Sequence, residues 1–319
     1  MWTRPKIFNS LASTTLICFR GHFFCVTGLD AVRRDVAIGL VGLTCFRGPI
    51  VMVEFTDRRE NPFAALGRRG IALINELGAM TIFAVLAVAH IFTAPLQFRK
   101  ILNQLYFIGF RSLPVILLVS VFTGMVLGLQ GYYTLAKFGS TSLLGPAVAL
   151  SLIRELGPVL TAIMIIARAG SSMAAEIGIM RISEQIDALD TMNINPIKFL
   201  VSPRIVASLI SFPLLTAVFN VVGIIGGYLT SVMLLHLSAG TYFTQIEASV
   251  VMQDITGGFA KAVVFGFLVT VICCFQGYFT HMRPNGFGAK GVSLSTTSAV
   301  VLSCVAVLVV DYVMTSFLL

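Results

Sequence analysis

A chain of 319 residues with 57 % hydrophobic and only 11 % charged residues has the composition of a membrane protein. Its mean hydropathy is +0.93, whereas soluble proteins carry about 25 % charged residues. This composition excludes intrinsic disorder, a secreted disulfide scaffold and an ordinary cytosolic enzyme. We therefore interpret the net charge of +8 by asking on which side of a membrane the basic residues lie, and not as a sign of nucleic-acid binding.

Residues 1–60 contain no apolar run long enough to span a bilayer, since Val36 to Phe46 covers only 11 residues. A signal peptide is not indicated, because polar residues interrupt Met1 to Phe19 and no small-residue cleavage site follows. We expect either a poorly ordered extension or an over-called translation start, with the internal Met52 as the alternative start. Whether residues 1–51 are translated is left open.

The stretch from Leu77 to Phe98 is uncharged for 22 residues. Four arginines precede it: Arg58, Arg59, Arg68 and Arg69. A spanning helix here would place them outside, against the tendency of basic residues to stay on the cytoplasmic side. The sequence favours a helix over residues 65–92 that lies in or dips into the inner leaflet, with the alternative that 77–98 spans left open. Residues 96–111 then form an amphipathic elbow into the first span.

Five later stretches approach or exceed the roughly 20 residues that a membrane-spanning helix needs. They are residues 112–133, 144–168, 205–235, 258–280 and 297–318. The loops at 168–204 and 281–296 carry Lys and Arg, whereas the loop at 236–257 carries neither. Basic loops stay inside, so we predict an all-α integral membrane protein with a cytoplasmic N-terminus and an external C-terminus.

Four charged residues are predicted at membrane depth. They are Arg154 and Glu155 in the second span, Lys261 in the fourth and Asp311 in the fifth. Charges in hydrocarbon are costly and mark functional candidates. Adjacent helical residues do not face each other, so Arg154 and Glu155 each need a partner on another helix or access to a water-filled cavity. Lys261 and Asp311 are the only opposite-sign candidates at that depth. A structural ion network and a polar substrate path both fit this pattern.

The inner loop at 171–196 contains a short amphipathic helix by its spacing. Ile182, Ile186 and Leu189 share one face, and Glu184, Asp187 and Asp190 occupy the other. A solvated loop helix and a docking element are both compatible with this spacing. In the first span, Gly124 and Gly128 are spaced for close helix packing.

Motifs for other chemistries are missing from the sequence. It has neither a G-x-x-x-x-G-K-[ST] nucleotide loop nor an H-E-x-x-H zinc motif. Its six cysteines form no C-x-x-C pair, which argues against a zinc site and a disulfide framework. We therefore expect no metal and no resident cofactor.

Several motifs in order carry a resemblance to a known family. They are GMVLGLQGY at 124–132, LSLIRELGPV at 150–159, ARAG at 167–170, AEIGIMR at 175–181 and EQIDAL at 184–189. Together they closely resemble the MlaE family, the permease subunits of ATP-driven phospholipid transporters that work with MCE-domain proteins. The resemblance runs from about Leu66 to Leu319, and residues 1–60 have no counterpart, so we expect the permease domain to comprise residues 61–319.

The resemblance implies a homodimer of five spanning helices preceded by a membrane-embedded interfacial helix. It implies that Glu184, Gln185, Ile186, Asp187, Ala188 and Leu189 form the coupling helix seated in a separate ABC ATPase. It also implies that Arg154, Glu155, Lys261 and Asp311 match charges of the family's membrane interior. Leu127, Leu135, Phe138 and Leu156 match positions that line its lipid pocket. At Phe138 the better-known members carry Tyr, so a hydroxyl contact is lost there.

The implied activity is transport without catalysis by this chain, with ATP bound by the partner subunit. Phospholipid would move between the bacterial inner membrane and a periplasmic MCE protein, maintaining the lipid asymmetry of the outer membrane. A small STAS-domain protein is a further implied partner. The rival interpretations are a secondary transporter or channel with an ion path through the buried charges, and a purely structural scaffold. The direction of transport and the exact lipid are left open.

Overall fold

The computed structural model describes residues 16–19, 22–25, 62–91, 98–282 and 288–318. The chain divides into two units, Met1–Glu54 and Phe55–Leu319. In the first unit, strands Leu16–Phe19 (β1) and His22–Cys25 (β2) pair antiparallel, with Leu16 opposite Cys25. The expectation for residues 1–60 otherwise falls outside the described residues and stays a prediction.

The second unit is helical throughout its described part. Its α-helices are Pro62–Ile91 (α1), Phe98–Ile108 (α2), Leu113–Lys137 (α3), Leu144–Ser151 (α4), Gly157–Ile165 (α5), Ser171–Ile182 (α6), Gln185–Thr191 (α7), Ser202–Tyr228 (α8), Ala239–Ser249 (α9), Met252–Tyr278 (α10) and Gly288–Leu318 (α11). Short 3-10 turns cover Phe110–Ser112, Thr141–Leu143 and Thr280–Met282. Wider π-helical segments cover Leu152–Leu156, Ile166–Gly170, Ile197–Val201 and Leu229–Leu234. The predicted all-α membrane class is confirmed for this unit.

Six helical stretches among the described residues are long and apolar enough to cross a membrane. Five contain the predicted spans, and the sixth is Ile74–Ile91 within α1. By length and composition, α1 therefore also qualifies as a span, which leaves both interpretations of this helix open. The predicted elbow is the separate helix α2, which ends at a 3-10 turn before α3. The chain is a multi-pass membrane protein.

Glycines hold α3 and α8 close together, as the sequence spacing indicated. A Cβ on Gly124 would collide with the carbonyl oxygen of Gly223, and one on Gly128 would lie 3.2 Å from the carbonyl oxygen of Gly227. Side chains larger than hydrogen at these crossings would separate the helix backbones. The contact therefore depends on the small residues rather than on a hydrophobic driving force.

The buried apolar residues form two cores. The main core joins α3, α5, α8 and α10 around Ile116, Ile165, Phe219 and Phe265. The second core joins α1 and α7 to α8 and α10 around Phe83, Ile186, Ile205 and Phe275. The Ser202 hydroxyl donates to the carbonyl of Ala87 at 3.0 Å, which fastens α1 to the start of α8. The short helix α7 is thus packed onto the membrane helices instead of being a free loop.

Candidate functional site

Lys261 on α10 is the centre of a buried polar cluster. It is 2 % exposed, and its Nζ lies 2.8 Å from Glu155 Oε2 and 3.2 Å from Asp311 Oδ1. Nζ also donates to the Arg154 carbonyl at 3.0 Å and to Thr315 Oγ1 at 2.6 Å. One ammonium therefore ties the π-helical segment of the second span to α10 and α11.

Thr315 completes this cluster, and sequence reasoning missed it. Its hydroxyl lies 3.2 Å from both carboxylate oxygens of Glu155 and 2.8 Å from the carbonyl of Asp311. The sequence analysis selected charged residues at membrane depth, and threonine is uncharged. Thr315 lies four residues after Asp311, and this spacing places both on the same face of α11. The hydroxyl bridges the Lys261 ammonium and the Glu155 carboxylate, whereas the Asp311 carboxylate is held by its ion pair with Lys261.

Arg154 does not join this cluster through its guanidinium, in contrast to the predicted pairing. Its Nε and Nη2 both lie 2.8 Å from Asp254 Oδ1, in the first turn of α10. The sequence interpretation placed Asp254 in an external loop and left only Lys261 and Asp311 as partners. The prediction was wrong because α10 begins at Met252, which brings Asp254 within reach. The Arg154 side chain is 44 % exposed and is available to a ligand at the same time.

A π-helical turn orients these groups. Residues Leu152–Leu156 form a π-helix, in which the extra residue changes the direction of the side chains that follow. Arg154 contacts Asp254, Glu155 contacts Lys261, and Leu156 packs against the main core. Such turns are frequent at functional sites. The sequence predicted a membrane-spanning helix here, with charges at Arg154 and Glu155, but it gave no indication of a π-helical turn.

Gly258 allows the close approach of α10 to this segment. A Cβ on Gly258 would lie 2.5 Å from the carbonyl oxygen of Ile153. Lys261 follows three residues later, on the same side of the helix. The glycine therefore sets the distance at which the lysine reaches Glu155.

The four residues predicted for a lipid pocket are only partly brought together. Leu127, Leu135 and Leu156 are half-buried and pack against the main core. Phe138 lies just beyond the end of α3 and is 77 % exposed. An exposed apolar stripe also runs along α3 through Phe122, Val126, Leu129 and Tyr133. Within one chain, three of the four positions pack against the main core, and the fourth faces outward.

The helix predicted over residues 184–189 is present as α7, which begins one residue later and ends two residues later. Glu184 precedes it in a left-handed conformation, with φ of 58°, which is uncommon for a residue with a side chain. Ile186 is fully buried and Leu189 packs against the second core. Glu184, Gln185, Asp187, Ala188 and Asp190 are exposed. The predicted division into an apolar and an acidic face is confirmed.

Arg181 holds α7 in place from the end of α6. Its Nη1 lies 2.7 Å from Asp187 Oδ1, and its Nε donates to His281 Nδ1 at 3.0 Å. The guanidinium also lies over the ring of Tyr278. Burial and then the Arg181 charge lower the pKa of His281, which keeps the imidazole neutral and Nδ1 able to accept. Arg181 therefore links the acidic helix to the end of α10, in addition to the apolar contacts of the second core.

The amino-acid sequence of the chain is similar to known membrane permeases. The family model described as Permease MlaE matches residues 101–317. A probable ABC transporter permease protein of Rickettsia bellii is 43 % identical over 251 residues, which cover 79 % of this chain and 95 % of that protein.

Two more distant relatives carry more specific names. The intermembrane phospholipid transport system permease protein MlaE of Haemophilus influenzae is 38 % identical, over 81 % of this chain and 97 % of that protein. The chloroplastic protein TRIGALACTOSYLDIACYLGLYCEROL 1 of Arabidopsis thaliana is 37 % identical over 75 % of this chain and 67 % of that protein. By the matched family model and by these identities, the chain belongs to the MlaE permease family.

Proposed function

We propose that this chain is the permease subunit of an ATP-driven transporter that moves phospholipid between the inner membrane and a periplasmic MCE-domain protein. The observation that carries the proposal is the π-helical segment Leu152–Leu156. It presents an apolar side chain, Leu156, beside two charged ones, Arg154 and Glu155. A phospholipid needs this combination, because its acyl chains require an apolar cavity and its phosphate requires a cation.

In the proposed mechanism, two copies of the chain enclose the lipid between them. Phe138 is 77 % exposed in one copy, and the other three pocket positions are already half-buried. A second copy would cover Phe138 and complete the apolar lining. Arg154, which is half-exposed while paired with Asp254, would receive the phosphate.

ATP binding would act on the pocket through α7. The exposed acidic residues Glu184, Asp187 and Asp190 would contact a separate ABC ATPase, which holds the ATP. Arg181 would transmit movement of α7 to α10, and α10 carries Lys261. Closure of the two copies would then compress the pocket and expel the lipid. A small STAS-domain protein is a further partner that the family relationship suggests.

The second candidate is an ion-coupled transporter or channel, and the Lys261 cluster is the observation that favours it. An ammonium between two carboxylates resembles a proton or cation relay. The two functions differ in their energy source. Transport that requires ATP and the partner ATPase supports the permease, and transport that follows an ion gradient without ATP supports the relay.

The decisive test of the permease places a charge in the pocket. Leu156→Asp requires a carboxylate to lose water when lipid enters, at about 2.5–3.5 kcal/mol for a mid-membrane charge. This corresponds to roughly a hundredfold loss of occupancy. Mass spectrometry of lipids that copurify with the complex should show their loss, although the complex still assembles. Val305→Asp on the exposed face of α11 is the matched control, and it should impair membrane insertion without selectively removing lipid.

Photocrosslinking locates the lipid independently. Crosslinkers at Leu127 and Phe138 should capture labelled phospholipid, and one at Ile224 should not. Ile224 packs against the main core, and its carbonyl accepts a hydrogen bond from Tyr242 at 3.3 Å. Burial raises the pKa of that tyrosine to about 12, in keeping with a dry packing contact. Equal labelling at positions 224 and 138 would contradict the pocket.

A further inference from the structure

A cavity separate from the Leu156 region lies between α2, α6 and the start of α8. Its volume is about 170 Å³, well above the roughly 10–15 Å³ that one water needs. The polar residues that line it are Lys100, Asn103, Gln104, Glu176 and Arg204, and the ring of Phe199 forms part of the wall. Glu176 precedes α7 and Phe199 follows it, so the cavity lies at the α7 end of the bundle.

Three buried polar atoms in this cavity have no hydrogen-bond partner among the described residues. They are Lys100 Nζ, Gln104 Oε1 and Arg204 Nη1. Arg204 is 2 % exposed and uses its other terminal nitrogen, Nη2, in a 2.7 Å contact with Glu176. The Cys274 thiol also lies near Arg204, but a thiol is a weak acceptor. Lys100 Nζ lies 2.7 Å from the centre of the Phe199 ring, a contact that satisfies its charge only in part.

Buried polar groups in proteins nearly always have a hydrogen-bond partner. Three of the nine such exceptions among the described residues belong to side chains that line this one cavity, which indicates a ligand there. Two of the three are cationic donors, and with the Glu176 carboxylate the lining carries a net charge of about +1. The third, Gln104 Oε1, is an acceptor and requires a donor from the ligand. The matching ligand carries an anionic group for the two cations and, beside it, an N–H or O–H donor for Gln104 and the Glu176 carboxylate.

We propose that this cavity binds the phosphodiester head group of a glycerophospholipid whose head group carries a hydrogen-bond donor, such as ethanolamine or glycerol. The phosphate would contact Lys100 and Arg204, and the donor would contact Gln104 and the partly exposed Glu176. The outer face of α2 presents Phe98, Leu102 and Tyr106 at helical spacing, all exposed. These exposed apolar side chains place α2 beside the acyl region of a lipid leaflet, and such a leaflet supplies phosphodiester head groups to the neighbouring cavity.

This site is distinct from the translocation pocket and does not depend on the transport function. It lies at the elbow that leads into the first span, so a bound lipid would fasten α2 to α6 and α8. The packing of α2 against α6 and α8 would then depend on which lipid head groups the surrounding leaflet contains.

The test uses the full chain in nanodiscs that contain phosphatidylethanolamine with a photoreactive acyl chain, diluted in a phosphate-free galactolipid. Crosslinked peptides that cover α2 and residues 197–204 are quantified against the mole fraction of the probe. Lys100→Gln removes a charge-assisted hydrogen bond and should raise the half-saturating mole fraction about tenfold or more. Lys100→Arg should restore binding. Lys198→Gln, a nearby cation that does not line the cavity, is the matched control and should leave binding unchanged.

Two lipid analogues, a double variant and inorganic phosphate test the chemistry of the ligand. Diacylglycerol and phosphatidylcholine analogues with the same chains lack the phosphate and the donor respectively, and both should bind more weakly. The double variant Glu176→Gln, Arg204→Gln keeps the local charge balanced and should lose binding while its thermal stability is retained. Equal binding of diacylglycerol, equal binding of phosphatidylcholine, or wild-type binding by Lys100→Gln would each overturn the proposal. Full displacement by inorganic phosphate would assign the cavity to the free anion and overturn it as well.

Discussion

At the scale of single residues, Lys261 balances two carboxylates that would otherwise face each other inside the membrane domain. Its ammonium contacts Glu155 and Asp311 and is almost completely buried. A buried ion pair adds little net stability compared with apolar residues, but removing one partner leaves the other charge without compensation. The lysine is therefore needed mainly because the acids are present.

This asymmetry gives the first prediction. Lys261→Met should lower thermal stability in detergent, with about 3–5 kcal/mol as an upper bound because Glu155 is 40 % exposed and keeps part of its hydration. The triple variant Lys261→Met, Glu155→Gln, Asp311→Asn removes all three charges and should recover most of that loss. If the triple variant is less stable than the single one, the acids are stabilised by groups other than Lys261.

At the scale of elements, two adjacent glycines on α10 have opposite surroundings. A Cβ on Gly258 would lie 2.5 Å from the Ile153 carbonyl, whereas one on Gly257 would have as its nearest neighbour a Leu318 methyl group 3.8 Å away. Gly258→Ala should displace α10 from the π-helical segment and reduce both stability and transport. Gly257→Ala should be neutral or stabilising by about 0.5–1 kcal/mol, because alanine favours the helix. Thermal unfolding and lipid transport of the pair provide the measurement, and equal effects would contradict the close contact at Gly258.

A further prediction at the scale of elements concerns α7, whose acidic face is exposed. Charge reversal at Glu184 or Asp187 should uncouple ATP hydrolysis from transport or release the ATPase, because the complementary surface would then be repelled. The variant permease should remain in the membrane fraction, and size-exclusion chromatography of the solubilised protein should show that the proposed dimer is retained. Unchanged coupling in both variants would count against the proposed contact.

Asp187 needs its own control because it also pairs with Arg181. The exchange Arg181→Asp, Asp187→Arg restores an internal ion pair but leaves position 187 positive. Persistent loss of coupling in this variant would assign Asp187 to the ATPase contact. Recovery would assign it to the support of α7.

At the scale of the whole molecule, the arrangement across the membrane follows from the predicted sidedness of the loops. Single cysteines replacing the exposed residues Gly70, Asp190 and Glu247 report this arrangement through labelling by an impermeant maleimide. In intact cells with a permeable outer membrane, Glu247→Cys should react, whereas Asp190→Cys should react only after lysis. Gly70→Cys should behave like Asp190→Cys if α1 lies in the inner leaflet. Labelling of Gly70→Cys in intact cells would show that α1 spans.

The unsubstituted protein provides the background for that experiment. Of its six cysteines, Cys273 and Cys274 are buried and Cys304 is partly buried, so these three should react slowly. Labelling of the unsubstituted protein measures the reaction of Cys18, Cys25 and Cys45, and labelling above that background identifies the introduced thiol.

The sequence by itself determined the membrane class, the approximate helices and the two faces of α7. These features depend on local properties, namely the length of apolar runs and the spacing of residues such as Ile186 and Asp187 on one turn. The candidate site was predicted in part, because the cost of a charge in hydrocarbon singles out Arg154, Glu155, Lys261 and Asp311 without any knowledge of their contacts. Membership of the family was also readable, because its motifs are long and occur in order.

Only the tertiary structure decided which groups meet. The Arg154 and Asp254 pair joins residues 100 positions apart, and it depends on where α10 begins and on a π-turn that no local pattern encodes. Thr315 entered the cluster because α11 passes beside the same turn. The cavity around Arg204 was invisible in the sequence for the same reason, since α2, α6 and α8 contribute its walls from distant parts of the chain. Local spacing fixes the direction of a side chain on its own helix, but its partner depends on how the helices pack.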